Sequence, residues 1–139
     1  MKYEIIAAAI LAHGLVSFAL GISEVNPERY PDADAVLVDE KSRVKYNPDG
    51  TYELTSESWT KILTEEGRRS ESVLKLDYSK RDGEAKIVYV GAIGTNGIER
   101  TIDVSATTKE STDNSSMSAN IYDQLDRTIV CTIPGLKTG

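Results

Sequence analysis

A period of two in the apolar residues, broken by tight turns, constrains this chain more than any other feature. From Ala35 onward apolar side chains recur at every second position, the repeat of a strand with one buried face rather than of a helix. Val36, Val38, Val44 and Tyr46 share one parity, while Asp39, Lys41, Arg43 and Lys45 take the other. The chain then meets Asn47-Pro48-Asp49-Gly50-Thr51. Proline presets φ at the first corner, aspartate tolerates the second, and glycine takes the left-handed position that returns the chain. A hairpin is expected here.

The pattern continues along the sequence. Tyr52 and Leu54 open a second strand on one face, joined later by Ile62, whereas Trp59 and Leu63 fall on the opposite parity. This predicts either a bulge near Ser56–Ser58 or a strand covered on both sides. Thr64 to Arg68 reads as a turn pivoting on Gly67, and Leu74, Leu76 and Tyr78 alternate in a third strand that ends at Ser79–Gly83. Residues Ala85 to Ile93 are apolar on both parities, which predicts a central strand buried on two faces. Asn96-Gly97 is a strong hairpin signal, because both residues accept positive φ. Ile98, Ile102 and Val104 alternate in a fifth strand, and Ile129, Cys131 and Ile133 in a last one before Pro134-Gly135. Residues 106–120 are rich in Ser, Thr, Asn and Asp without an apolar period, so a long exposed loop is expected, disordered by composition and closed by a helical turn around Ile121 to Leu125. There is no internal repeat. The expected fold is all-β: an antiparallel β-sandwich or open barrel-like sheet of about six or more strands, preceded by an N-terminal signal helix.

The N-terminus has a different grammar. Ile5 to Ile22 contains no Asp, Glu, Lys or Arg, Lys2 precedes it, and Ala19 and Gly21 stand where a signal peptidase requires small residues. Glu4 weakens the positive start. The division expected is a signal peptide over 1–21, a linker over 22–34 carrying Pro27 and Pro31, and an all-β domain over 35–139. The competing reading is an uncleaved anchor, since the run is about long enough to span a bilayer. His13 and Gly14 at its centre make it a poor permanent span. No cysteine lies near the cut, so a lipoprotein is not expected. The location this predicts is periplasmic or secreted, with membrane contact only through an uncleaved signal segment.

Charge and residue inventory then narrow the chemistry. The chain's 139 residues make a single-domain length, and 40% hydrophobic with 27% charged residues belongs to a globular rather than a disordered protein. A formal charge of −6 disfavours nucleic acid, since a phosphate binder needs a basic stripe and the longest basic clusters are pairs such as Arg68-Arg69 and Lys80-Arg81. The sole histidine is His13, inside the expected export signal, so the domain has no imidazole for a Ser-His-Asp or Cys-His arrangement or for a histidine-based zinc site. Cys131, the sole cysteine, shares its parity with Ile129 and Ile133 and has no cationic cluster beside it, which favours a core residue over a reactive thiol.

The carboxylate pairs Asp32/Asp34, Asp39/Glu40 and Glu65/Glu66 lie in linker or turn contexts and read as solvated surface rather than as a hydrolase pair. Fragments of an acidic calcium loop occur in Pro31–Asp34 and Asn47–Gly50, but neither has the spacing or the distant glutamate. Asn114-Ser115-Ser116 fits a glycosylation acceptor, and no glycine-rich phosphate loop occurs. Trp59 and seven tyrosines offer a stacking surface for sugars, although in a β-rich domain such residues more often fill the core. The expectation is a domain with no catalytic, cofactor-binding or metal-binding residues.

Asp32 to Arg69 resembles the opening of the bacterial domain of unknown function 3857: an acidic start, a strand, Asn-Pro-Asp-Gly, a second strand ending in Lys61-Ile62-Leu63, then Glu65-Glu66-Gly67-Arg68. Thr95 to Val104 and Ala119 to Gly139 are similar to its middle, where strand-turn-strand, a loop with tyrosine and a strand ending in Pro-Gly follow in that order. The resemblance implies a β-rich, sandwich-like module at the front of exported bacterial proteins, commonly followed by a transglutaminase-like domain with its own Cys-His-Asp triad. No residue here matches that triad, so no catalytic role is carried over. Family members run on past the Pro-Gly turn, so the resemblance also implies a fragment, a truncated product or a minimal member, truncated at its C-terminal end and with an unpaired sheet edge. The function expected is that of a non-catalytic accessory domain for a transglutaminase-like partner in cis or in trans. The alternative is a self-standing periplasmic domain that binds a glycan or peptide ligand.

Overall fold

The structure is a computed structural model that describes residues 24–112 and 124–139. The expected signal segment with Ala19 and Gly21, the Asn114 acceptor and most of the expected turn at 121–125 lie outside those residues. In the segment read as a linker, Tyr30 N donates to Asn26 O, Ala33 N to Tyr30 O, and Val25 is fully buried.

Strand β1 (Ala35–Tyr46) pairs antiparallel with β2 (Tyr52–Ile62). The hairpin turn forms as its residues predict. Gly50 takes φ +84°, Asn47 N donates to Thr51 O at 2.8 Å, and Asp49 Oδ1 accepts from Thr51 N at 2.9 Å and Thr51 Oγ1 at 2.6 Å. The register shift falls on β1 and not on the second strand: pairing passes from Leu37–Thr60 to Asp39–Trp59, leaving Val38 as the extra residue. The bulge buries Val38 and moves later residues to the opposite face, so that Val44 and Tyr46 lie with Leu37 on a solvent-facing side.

The stretch expected to turn on Gly67 is instead helix α1 (Glu65–Glu71). Thr64 caps it by accepting from Gly67 N at 3.1 Å, Glu65 and Glu66 lie in its first turn, and Arg68 and Arg69 in its last, as the helix dipole favours. Gly67 is there for closeness, not for a turn: a Cβ on it would stand 2.1 Å from Asp34 O. That same carbonyl accepts from Leu63 N and Thr64 N at 2.9 and 3.1 Å.

After α1 come β3 (Val73–Ser79), a short hairpin of β4 (Gly91–Ile93) and β5 (Glu99–Thr101), helix α2 (Val104–Thr107), β6 (Thr108–Thr112) and β7 (Asp126–Thr132). Strand β7 is central in a three-stranded sheet of order β3-β7-β6, and among the described residues every pairing is antiparallel. The all-β expectation is met.

Two further local expectations are corrected. Of Ala85–Ile93 only Gly91–Ile93 joins a ladder, and it is not buried on two faces: Ile87 and Val90 are buried while Val88 is 47% exposed. The beginning of the expected loop at 106–120 is ordered. Asp103 caps α2 through Ser105 N and Ala106 N, and Thr108–Thr112 then pairs with β7. An edge strand with three consecutive exposed residues needs no apolar period, which is why composition concealed it. The core gathers Ile87, Val90, Ile102, Ile129 and Cys131, with Leu74, Leu76, Tyr78, Val104 and Ile133 packed around them. Cys131 is fully buried, as its parity predicts.

Candidate functional site

The residues singled out for chemistry are mostly occupied in building turns and caps. Asp49 is engaged by Thr51, whose hydroxyl and amide hold its carboxyl below the ordinary range, and Asp103 is held low in the same way by Ser105 and Ala106. Asp34 Oδ1 accepts from Thr64 Oγ1, Asp39 pairs with Lys41 at 2.9 Å, and Glu65 and Glu66 pair with Arg68 and Arg69 along α1. Lys41 is held protonated above its ordinary value by its bond to Asp39. Among the described residues no group of three or more His, Cys, Asp or Glu side chains converges to hold a metal ion.

The aromatic residues do not form one stacking surface. Tyr46 and Tyr52 face each other beside the β1–β2 turn with ring centres 6.0 Å apart, and Tyr30 lies under Arg29. Tyr78 packs against the core, its phenol pushed up by burial and by Glu110. Tyr89 donates to Glu99, which raises its phenol above the ordinary value. Gly91 leaves room for that bond, since a Cβ there would meet the Tyr89 hydroxyl at 2.7 Å.

Trp59 and Tyr89 instead border a cleft of about 430 Å³. One wall is the run Ser58, Trp59, Thr60, Lys61 and Ile62 of β2, and the other runs from Tyr89 to Thr95 through β4. A strand that presented a face would contribute every second residue. Unbroken runs mean that these walls are strand edges. Val38, Leu74 and Ile133 add apolar surface, Glu71 and Lys137 polar groups, and Leu136 and Gly139 close one side.

The hydrogen-bond ladders identify which main-chain groups face the cleft. Thr51 O and Leu63 N both bond toward β1, from Asn47 N and to Asp34 O, so by alternation the odd-numbered residues of β2 point to β1 and Ser58, Thr60 and Ile62 point away. Val90 O and Gly94 N bond toward the β5 side, to Ile102 N and Ile98 O, so Gly91 and Ile93 point away. No strand among the described residues pairs with either outward edge. Gly139 touches both sides of the gap: its N donates to Ile62 O at 3.1 Å, and its Cα lies against Thr95, whose Cγ2 would be 2.5 Å from an added Cβ. A second hollow, more open to solvent, lies between residues 85–89 and 101–105 beside Glu110 and Ile129.

Trp59 and an unpaired sheet edge were expected from the sequence, but not that the edges of β2 and β4 flank one cleft. The signal present was Gly91-Ala92, small residues that interrupt an otherwise bulky strand. A family model described as a domain of unknown function with solved-structure structure, DUF3857, matches residues 48–139. Neither a curated protein nor a solved structure matches the chain.

Proposed function

The chain belongs to the DUF3857 family, and from that premise we propose that it is a non-catalytic interaction domain of an exported bacterial protein, serving a transglutaminase-like partner in cis or in trans. The observation that carries this reading is the cleft between β2 and β4: apolar surface from Val38, Leu74 and Ile133, two strand edges unpaired among the described residues and Trp59 in one wall form a surface suited to holding another chain. The residue inventory supports the non-catalytic part. The sole histidine is His13, Cys131 is fully buried, and the carboxylates with lowered pKa have that shift from the turn and the cap they build. Export rests on the leader-like residues 1–21 with Ala19 and Gly21.

The test is calorimetric titration of the purified chain against an isolated transglutaminase-like domain, paired with an assay of amide and glycoside turnover by the chain alone. Binding, weakened about tenfold or more by Ile93→Lys, is the expected result, and a tenfold loss corresponds to about 1.4 kcal/mol. Turnover by the chain alone would contradict the reading, as would binding indifferent to Ile93→Lys. The position of Trp59 on the cleft wall favours one second reading, in which the occupant is a free glycan or peptide.

A further inference from the structure

We infer that the cleft is a strand-addition site: it takes an extended segment of a partner protein, bonded through its main chain to the outward edges of β2 and β4, with an apolar side chain at every second position. The inference rests on the interaction-domain reading above and gives that interaction a chemistry.

Three observations carry it. Both walls are strand edges rather than faces, so what they offer is main-chain N–H and C=O: Ser58, Thr60 and Ile62 on one side, Gly91 and Ile93 on the other. Such edges recruit another strand, since an extended peptide satisfies them in register. Next, a peptide unit already occupies one end of the gap. Gly139 donates its N–H to Ile62 O while its Cα lies against Thr95, so a backbone fits between the walls and finds the first acceptor of the β2 edge. Finally, the space is of the right order. With a rise of about 3.3 Å per residue, about 4.8 Å between strands and about 10 Å between layers, one extended residue occupies roughly 160 Å³. A cleft of about 430 Å³ therefore takes a short run of such residues. Val38, Leu74 and Ile133 then receive side chains from one face of the added strand, which calls for apolar residues at alternate positions.

A glycan would use the same volume differently. It would stack on Trp59 and bond to side chains, and would leave the amide row of β4 untouched. That difference makes the inference testable.

The experiment selects a displayed library of short random peptides against the full chain, then measures affinity and amide exchange for the peptides recovered. Recovered sequences are expected to alternate apolar and polar residues, to slow exchange at Ser58, Thr60, Gly91 and Ile93, and to lose about tenfold or more in affinity when every second amide is N-methylated. N-methylation leaves the side chains in place and removes only the main-chain donors. Thr60→Pro gives the matching change in the protein, since it deletes a donor that faces the cleft and not β1. The N-methylated peptides keep the test decisive should that variant fold poorly. Peptides that bind equally well after N-methylation, or that protect none of these amides, would overturn strand addition while leaving an interaction domain. A library that yields no binder would overturn strand addition as well, and the calorimetric titration above then decides the broader reading separately.

Discussion

A methyl group on Gly67 would stand 2.1 Å from the carbonyl oxygen of Asp34, closer than any Cβ can be accommodated without movement. Gly67→Ala gains about 1 kcal/mol of helix propensity in α1. It must then displace a carbonyl that receives both Leu63 N and Thr64 N, and overpacking of that kind costs about 1–3 kcal/mol. Net destabilisation is expected, read as a lower urea midpoint with an unchanged slope. The two depressed carboxyls act at the same scale. Asp49 and Asp103 are held below their ordinary 3.8, by Thr51 and by Ser105 first. The unfolded chain therefore binds their protons more readily. Their stabilisation is complete above about pH 5 and is lost as pH falls through the lower folded values. Asp103→Asn should flatten that acid limb in urea titrations carried to low pH. Cys131 was legible from its parity alone. Its thiol, fully buried, should resist aromatic disulfide reagents in the native protein and react at once in denaturant. Gly67 was not legible, because its reason for being glycine lies with Asp34, far back in the sequence.

At the scale of elements, the strands were readable wherever one face is buried and the other wet. The β1–β2 turn follows from Asn47 to Thr51 as expected, and β7 from Ile129, Cys131 and Ile133. Alternation fails where an element makes its bonds without burying a face. Strand β6 is such a case, with Lys109, Glu110 and Ser111 all exposed, and so is α1, whose seven residues are organised by caps rather than by an apolar stripe. The cap makes a prediction: Thr64→Ala removes the acceptor for Gly67 N and should cost about 1 kcal/mol, measured by equilibrium unfolding. The β1–β2 hairpin makes another. Its far end carries exposed Val44 and Tyr46, so amides near Asn47–Thr51 should exchange much faster than those of β7, which is paired on both sides.

For the whole molecule, stability and binding occupy different places. The core lies where β3, β7 and the 85–104 stretch meet, around Ile87, Val90, Ile102, Ile129 and Cys131. Ile129→Ala should cost about 2–5 kcal/mol through lost burial and the cavity left behind. The cleft lies between the two-stranded units, where each strand has one partner among the described residues and an edge to spare. Periodicity predicts which residues of a strand face a core, but it says nothing of which strands lie side by side. The all-β class was therefore legible and the cleft was not: its lining comes from segments far apart in sequence, residues 58–62, 89–95 and 133–139, with Gly139 N bonded to Ile62 O.

Partner binding at the cleft requires those edges to be free, and residue-resolved amide exchange in the free protein tests them most directly. Trp59 and Lys61, turned toward β1, and Ala92 and Gly94, turned toward β5, should exchange slowly, while Ser58, Thr60, Gly91 and Ile93 exchange fast, giving an alternating profile along both strands. Uniformly slow exchange along β2 and β4 would mean that both edges are already paired, leaving no cleft for a partner to enter.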